Sequence, residues 1–144
     1  MPPEIDVAIR CRSIPLAAET VAALARMVLE AEGAGDRGLS IALVDDLTMA
    51  RLHGEFLDDP TPTDVMAFPL DEDGDPELGE VVVSLDTAIR QAPDSGLEPD
   101  AEALLYVIHG TLHLLGYDDH EPEPRARMHA RQDALLEEFL RRRR

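Results

Sequence analysis

The sequence predicts a single α+β domain, in which a mixed sheet of roughly four strands packs with about five helices. Several short segments have the alternating or continuous apolar pattern of strands, and longer segments repeat apolar residues at helical spacing. Because strands and helices do not alternate strictly along the chain, a mixed sheet is favoured over a fully parallel one. The length of 144 residues fits one domain over 1–144 with its own core.

The first part of the chain is predicted to contain two strands and two helices. Residues 5–11 alternate apolar and polar side chains, as in a strand with one buried face. A proline opens a helix over 15–32, and the compact apolar run at 39–44 predicts a central strand. One of the two aspartates that follow is expected to cap a second helix, which ends near residue 56.

The middle of the chain is predicted to alternate loops with three further elements. The acidic loop at 71–77 carries alternate carboxylates, as calcium loops do. It lacks the glutamate that such loops supply at their last position, so we expect a solvated turn. The remaining segments are strands over 63–69 and 79–85, a short helix over 86–92, and turns over 58–62 and 93–99.

The most informative segment is HGTLHLLGYDDH at residues 109–120, which holds three of the five histidines. The apolar spacing over 101–115 predicts a helix, so His109 and His113 lie one turn apart on the same side. Gly116 is expected to end this helix, because glycine adopts the left-handed conformation without steric cost. The turn that follows can bring His120 toward the other two imidazoles.

Two histidines one turn apart and a third from the next loop predict a zinc site. Zinc is four-coordinate and binds neutral imidazole, and three protein ligands leave one position for water, as in catalytic sites. We therefore expect one zinc ion per chain, bound by His109, His113 and His120. The alternative is that the helix histidines are ordinary ones, whose rings are satisfied by backbone or solvent.

The composition limits the expected location and partners. A net charge of −17 argues against general affinity for nucleic acid or acidic membranes. The single cysteine excludes an internal disulfide and suits a reducing cytosol. We find no signal peptide and no apolar run of membrane-spanning length, so a soluble cytoplasmic protein is expected. The chain is predicted to end in a helix over 124–140 and a frayed basic tail at 141–144.

Three segments together resemble the YbeY family of rRNA maturation endoribonucleases. The family signature HGxLHLxGYDH recurs in the histidine segment, and two strand segments also match. The resemblance implies an α/β domain with a zinc ion on those three histidines. It also implies metal-dependent cleavage of single-stranded RNA in 16S rRNA 3′-end maturation and ribosome quality control, with the small ribosomal subunit as partner. The strand segments are PTDVMAFPL at 62–70 and LGEVVVSLDTA at 78–88.

The chain departs from the family pattern at two places. The family has one residue fewer between Tyr117 and its last histidine, so in strict register Asp119 takes the third ligand position. We expect His120 to be the ligand, because a turn absorbs one extra residue easily, with an Asp119 oxygen as the alternative. Leu57 stands where an arginine is usual and cannot neutralise a phosphate, and His53 stands where asparagine is common.

A zinc-bound water is the expected nucleophile, since the metal lowers its pKa toward ~7. Asp118 and Asp119 are the candidates for the base or for positioning that water, with Thr111 and His53 as weaker ones. For Asp118 the alternative is a turn residue that bonds its own backbone.

The histidine spacing also resembles that of zinc peptidases, but Gly110 occupies the position of their glutamate base. Another zinc-dependent hydrolase, or a non-catalytic ribosome-assembly factor with a structural zinc, stays open as an alternative.

The acidic charge raises the question of how the chain would approach RNA. The arginines of the last helix, Arg125, Arg127 and Arg131, form a local basic face in one interpretation. In the other they pair with neighbouring glutamates such as Glu121, Glu123 and Glu137. Weak affinity for free RNA, with guidance by a ribosomal protein, would suit this charge balance.

Overall fold

The structure is a computed structural model that describes residues 4–57, 63–70 and 76–143. Within these ranges the predicted class is confirmed, with one four-stranded mixed sheet and five helices. The elements in chain order are β1 (Ile5–Ile9), α1 (Ala18–Ala31), β2 (Gly38–Val44), α2 (Asp46–Leu57), β3 (Val65–Pro69), β4 (Glu77–Ser84), α3 (Leu85–Ser95), α4 (Pro99–Leu114) and α5 (Pro122–Arg142).

The sheet has the strand order β1-β2-β4-β3. β1, β2 and β4 are parallel, with Val7 opposite Ile41 and Ile41 opposite Val81. β3 is an antiparallel edge strand that pairs with β4, so that Val65 lies opposite Val83. Among the strands that the structure describes, none pairs with the outer side of β3.

Both faces of the sheet are covered, which explains the runs of apolar residues in the central strands, at 41–44 in β2 and 81–83 in β4. The larger core lies between one face and α1, α3, α4 and α5, and the smaller core lies under α2 on the other face. Val81 and Val83 belong to the first core and Val82 to the second, and all three are buried. Each fully buried side chain of this size contributes roughly 1.5–3 kcal/mol.

Helix α2 is fixed at its start by two aspartates with different roles. Asp45 accepts a hydrogen bond from the Thr48 N–H at 2.8 Å, so it is the predicted cap. The Asp46 carboxylate instead accepts from Ser84, Thr87 and Arg90 at the junction of β4 and α3. Partial burial opposes its ionisation, but these donors outweigh burial and lower the pKa of Asp46.

Helix α4 approaches the sheet unusually closely at Gly110. A Cβ atom on this residue would lie 2.6 Å from Cγ1 of Val81 and 3.1 Å from Cγ2 of Val65. Valine cannot easily move these methyl groups, because its χ1 angle is restricted by branching at Cβ. The helix backbone can therefore reach β3 and β4 only where residue 110 has no side chain.

Several helix ends differ from the sequence expectation, and α1 begins at Ala18 instead of at the proline that was expected to open it. α3 continues through Pro93 into the predicted turn, because a proline in the last turn removes a single hydrogen bond and Gly96 ends the helix at a φ of 73°. α5 begins at Pro122 and continues through Arg142, where Glu138 pairs with both Arg141 and Arg142. The tail expected to be frayed is thus helical up to Arg142.

Other expectations fall on parts of the chain outside the described residues. These are the turn at 58–62, positions 71–75 of the acidic loop, residue 144, and the side chains of Phe56 and Leu57. Among the helices that the structure describes, none has the length and apolar character needed to cross a membrane.

We expect Gly110→Ala to lower the free energy of unfolding by about 1–3 kcal/mol, because the added methyl group overpacks the contact with Val81. An ordinary helix-interior glycine behaves in the opposite way, since alanine there is more favourable by about 0.5–1 kcal/mol. Urea denaturation followed by circular dichroism measures the change.

Val81→Ala provides the matched control, because it removes two of the three methyl groups that a Cβ at position 110 would meet, including the nearest one. The cost of Gly110→Ala should be smaller in the Val81→Ala background than in the wild type. An equal cost in both backgrounds, or a stabilised single variant, would contradict this account of the helix–sheet contact.

Candidate metal centre

The last turns of α4 present two imidazoles on one side of the helix, as the sequence predicted. The rings of His109 and His113 are edge to face, with centroids 4.7 Å apart. The helix then ends at Gly116, whose φ of 101° is in the left-handed region, as predicted. The N–H of Tyr117 bonds back to the carbonyl of Leu112 at 3.0 Å, which turns the chain toward the histidines.

The carboxylate of Asp119 lies between these two rings. Its Oδ2 atom is 3.5 Å from Nε2 of His109 and 3.4 Å from Nε2 of His113. All three side chains are half-buried, and their ligand atoms lie within 4.8 Å of one another. Two imidazole nitrogens and one carboxylate oxygen in this arrangement can bind a metal ion.

His120 occupies a different place from Asp119. Its side chain is 86% exposed, and its Nε2 atom is 3.9 Å from Oδ1 of Asp118. It forms a second group of possible ligands with Asp118 and Asp119, so the Asp119 carboxylate belongs to both groups. The role of His120 as third ligand stays a prediction, and the geometry favours the alternative, Asp119.

Asp118 acts locally in the turn. Its Oδ1 atom accepts a hydrogen bond from the N–H of His120 at 2.9 Å, which is the contact expected of a turn residue. Its proposed role as a base stays a prediction. The hydroxyl of Thr111, a weaker candidate, is fully buried and donates to the carbonyl of Val107 at 2.8 Å. That hydroxyl is therefore engaged inside α4.

The turn that carries Asp119 is held by two other helices. Tyr117 donates a hydrogen bond to Glu32 at the end of α1, and Arg131 of α5 contacts the same carboxylate through two nitrogens at 2.8 Å. Arg125 of α5 donates to the carbonyl of Asp119 at 2.8 Å. The position of the carboxylate thus depends on α1 and α5 as well as on α4.

The three α5 arginines considered as a basic face for RNA form ion pairs and hydrogen bonds within the chain. Arg131 pairs with Glu32, Arg125 binds backbone carbonyls, and Arg127 lies 3.6 Å from Glu123. The structure thus agrees with the second interpretation, in which these arginines contact acidic and carbonyl groups of the chain. The partner of Arg131, Glu32, was not among the expected glutamates. The charge of Arg131 is thus paired within the protein, whereas the side chain of Arg127 stays 64% exposed.

The electrostatics of the group favour an ionised Asp119. Partial burial opposes ionisation, but the imidazoles of His113 and His109 outweigh it and lower the pKa of this carboxyl. A deprotonated carboxylate is the form that binds a metal ion.

Gln132 of α5 completes the surroundings of His109 and was missed in the sequence analysis. Its Oε1 atom is 2.8 Å from Nδ1 of His109, on the side of the ring opposite Asp119. The glutamine is 9% exposed and lies on the buried stripe of α5. A polar residue at helical spacing within an apolar stripe was the signal available. The other members of the stripe are Met128, Leu135, Leu136 and Phe139.

The group opens into a cleft of about 820 Å³, within the range of small-ligand sites. One wall is β3 with the residues just before it, from Thr63 to Pro69, and His53 of α2 lies across from α4. His53, His109, His113 and His120 all line this space. A half-buried metal-capable group beside an open cleft is the arrangement that a catalytic site requires.

Comparison with known proteins agrees with the resemblance drawn from the sequence. A sequence model of the family described as endoribonuclease YbeY matches residues 7–140. The chain belongs to the YbeY family.

Individual relatives and a solved structure support this membership. An endoribonuclease YbeY of Nocardioides sp. is 42% identical over 132 residues, which cover 85% of this chain and 89% of the relative. One of Rhodopirellula baltica is 42% identical over 122 residues, but the match covers only 63% of that longer protein. The solution structure of TM1509 from Thermotoga maritima is similar, with a TM-score of 0.67 and 28% identity over 94% of this chain and 88% of that one.

We expect Asp119→Ala to weaken zinc binding by more than about 100-fold, because it removes one of three ligand atoms. Loss of an outer hydrogen-bond partner costs only about 10–100-fold. His120→Ala is the matched control from the same turn and should leave the affinity close to that of the wild type. Competition with a chromophoric chelator measures both constants. The reverse order of effects would assign the third position to His120 and contradict the geometric assignment.

Proposed function

We propose that this YbeY family member is a zinc-dependent endoribonuclease that hydrolyses single-stranded RNA. The proposed setting is maturation of the 16S rRNA 3′ end and ribosome quality control in the cytoplasm. The observation that supports it is the convergence of His109, His113 and Asp119 beside an open cleft. The relatives named endoribonuclease YbeY supply the substrate class.

The donor set fits zinc. Catalytic zinc sites combine imidazole nitrogens with a carboxylate oxygen in three-ligand sets, which leave a fourth position for water. When bound, zinc supplies a hydroxide near neutral pH and polarises a phosphoryl oxygen. We infer Asp119 as the third ligand, because its carboxylate already lies between the two rings, with His120 as the alternative.

The remaining residues of the cleft bind and orient rather than ligate. His53 and His120 line the cleft, where their imidazoles can form hydrogen bonds with a bound substrate. β3 supplies an apolar wall of the cleft. Asp118 keeps the turn closed through its bond to the His120 N–H, so that the Asp119 carboxylate stays aimed at the histidines.

A peptidase activity is disfavoured for a steric reason. Zinc peptidases with similar histidine spacing need a glutamate base directly after the first histidine. Gly110 holds that position here, and even a Cβ atom there would lie 2.6 Å from Val81. No longer side chain fits between α4 and the sheet, so the peptidase base is excluded by packing.

A structural zinc in a non-catalytic assembly factor is the second candidate. Structural sites are closed, with four protein ligands and no open position. The three-residue group on an 820 Å³ cleft favours catalysis over this alternative.

We further propose that the chain binds free RNA weakly and is guided to the rRNA of the small ribosomal subunit by a ribosomal protein. The net charge is −17, and the α5 arginines contact acidic or carbonyl groups of the chain. Arg125 and Arg131 therefore offer a polyanion little free positive charge, and the acidic net charge of the chain repels it. Tight, strongly salt-dependent binding of bare RNA oligonucleotides would contradict this guidance.

We expect the zinc-loaded chain to cut single-stranded RNA oligonucleotides and to leave duplex RNA intact. His113→Ala or removal of the metal should lower the rate by at least about 1000-fold, since metal ions supply several kcal/mol of transition-state stabilisation. Gel analysis of labelled oligonucleotides measures the rate, and added zinc should restore only the chelated wild type.

Gln91→Ala is the control, because this exposed residue of α3 does not line the cleft. It should retain the wild-type rate. Cleavage that persists in His113→Ala, or zinc-loaded protein that leaves every RNA intact, would contradict the proposal.

A further inference from the structure

We infer that Gln132 is a positioning residue that fixes which nitrogen of His109 faces the metal. This inference rests on the proposed metal site, but its main readouts need neither RNA nor catalysis. It begins from one geometric fact, the 2.8 Å contact between Oε1 of Gln132 and Nδ1 of His109.

The contact selects one tautomer of the imidazole. A neutral imidazole has one nitrogen that donates and one that accepts, whereas an amide oxygen only accepts. A hydrogen bond to Oε1 therefore requires the proton of His109 to be on Nδ1. The lone pair is then on Nε2, the atom that lies 3.5 Å from Oδ2 of Asp119 and faces the ligand group.

The orientation of the Gln132 amide decides which ring nitrogen of His109 carries the proton. If the amide were reversed, its NH₂ group would donate to Nδ1 and the proton of His109 would lie on Nε2. That nitrogen would then have no lone pair for a metal ion. The orientation with Oε1 toward the ring is thus the one that prepares His109 as a ligand before the metal arrives.

Burial of Gln132 strengthens the preference of the His109 proton for Nδ1. Gln132 is 9% exposed and belongs to the face of α5 that packs toward α4. Water competes poorly for a buried amide, so the glutamine and the imidazole satisfy each other. An apolar residue would pack equally well in this stripe, between Met128 and Leu135, but it would leave Nδ1 without an acceptor.

The test combines variants of matched shape with a direct view of the tautomer. Gln132→Met keeps an unbranched side chain of similar size but removes the acceptor, and Gln132→Glu keeps an acceptor. Gln91→Met on the exposed side of α3 controls for the loss of a glutamine. Zinc affinity is measured by chelator competition on the full chain. Long-range ¹H–¹⁵N correlation spectra of the metal-free protein identify the tautomer, at about pH 8.5, where ordinary imidazole is neutral.

We expect His109 of the wild type to carry its proton on Nδ1. Gln132→Met should lose this preference and weaken zinc binding by about 10–100-fold. Gln132→Glu should restore both, and Gln91→Met should change neither. A wild-type His109 protonated on Nε2 would overturn the inference, and so would unchanged zinc affinity in Gln132→Met. Because the tautomer of the wild type is measured without any variant, misfolding of a variant cannot obscure the result.

The two proposals fail separately. A protein with the expected tautomer and zinc affinities that leaves RNA intact would contradict the proposed nuclease and keep the role of Gln132. RNA cleavage by a protein whose His109 carries its proton on Nε2 would support the proposed nuclease and contradict the role of Gln132.

Discussion

The close contact between Gly110 and the sheet determines where the metal-capable group can form. Without a side chain at this position, α4 lies directly against Val81 and Val65, and its last two turns face the cleft beside β3. His109 and His113 flank that contact along the helix. The same contact excludes the longer side chain that a peptidase would need at position 110. The absence of a side chain at Gly110 therefore determines both how closely α4 packs on the sheet and which side chains can face the cleft.

The third member of the group depends on contacts that are distant in sequence. Asp119 belongs to a turn that Tyr117 and Arg131 tie to Glu32, and that Arg125 holds through a carbonyl. α1, α4 and α5 thus meet at this turn. Since each helix is anchored by its own buried stripe, the site is supported by the whole core on that face of the sheet.

The sequence predicted the features that depend on residues close together in the chain. The helix that carries His109 and His113 followed from its apolar periodicity, and its end at Gly116 followed from glycine conformation. The choice between Asp119 and His120 did not, because a shift of one residue in a turn changes which side chain faces the rings. Gln132 and Glu32 were missed because their contacts join residues 23 and 85 positions apart.

The central claim is that His109, His113 and Asp119 together hold the metal ion. Anomalous diffraction at the zinc edge from crystals of the zinc-loaded chain tests it most directly. We expect a peak at about 2.0–2.1 Å from Nε2 of both histidines and at about 2.0–2.2 Å from an oxygen of Asp119. A zinc-loaded crystal with no peak between these three side chains would contradict the account.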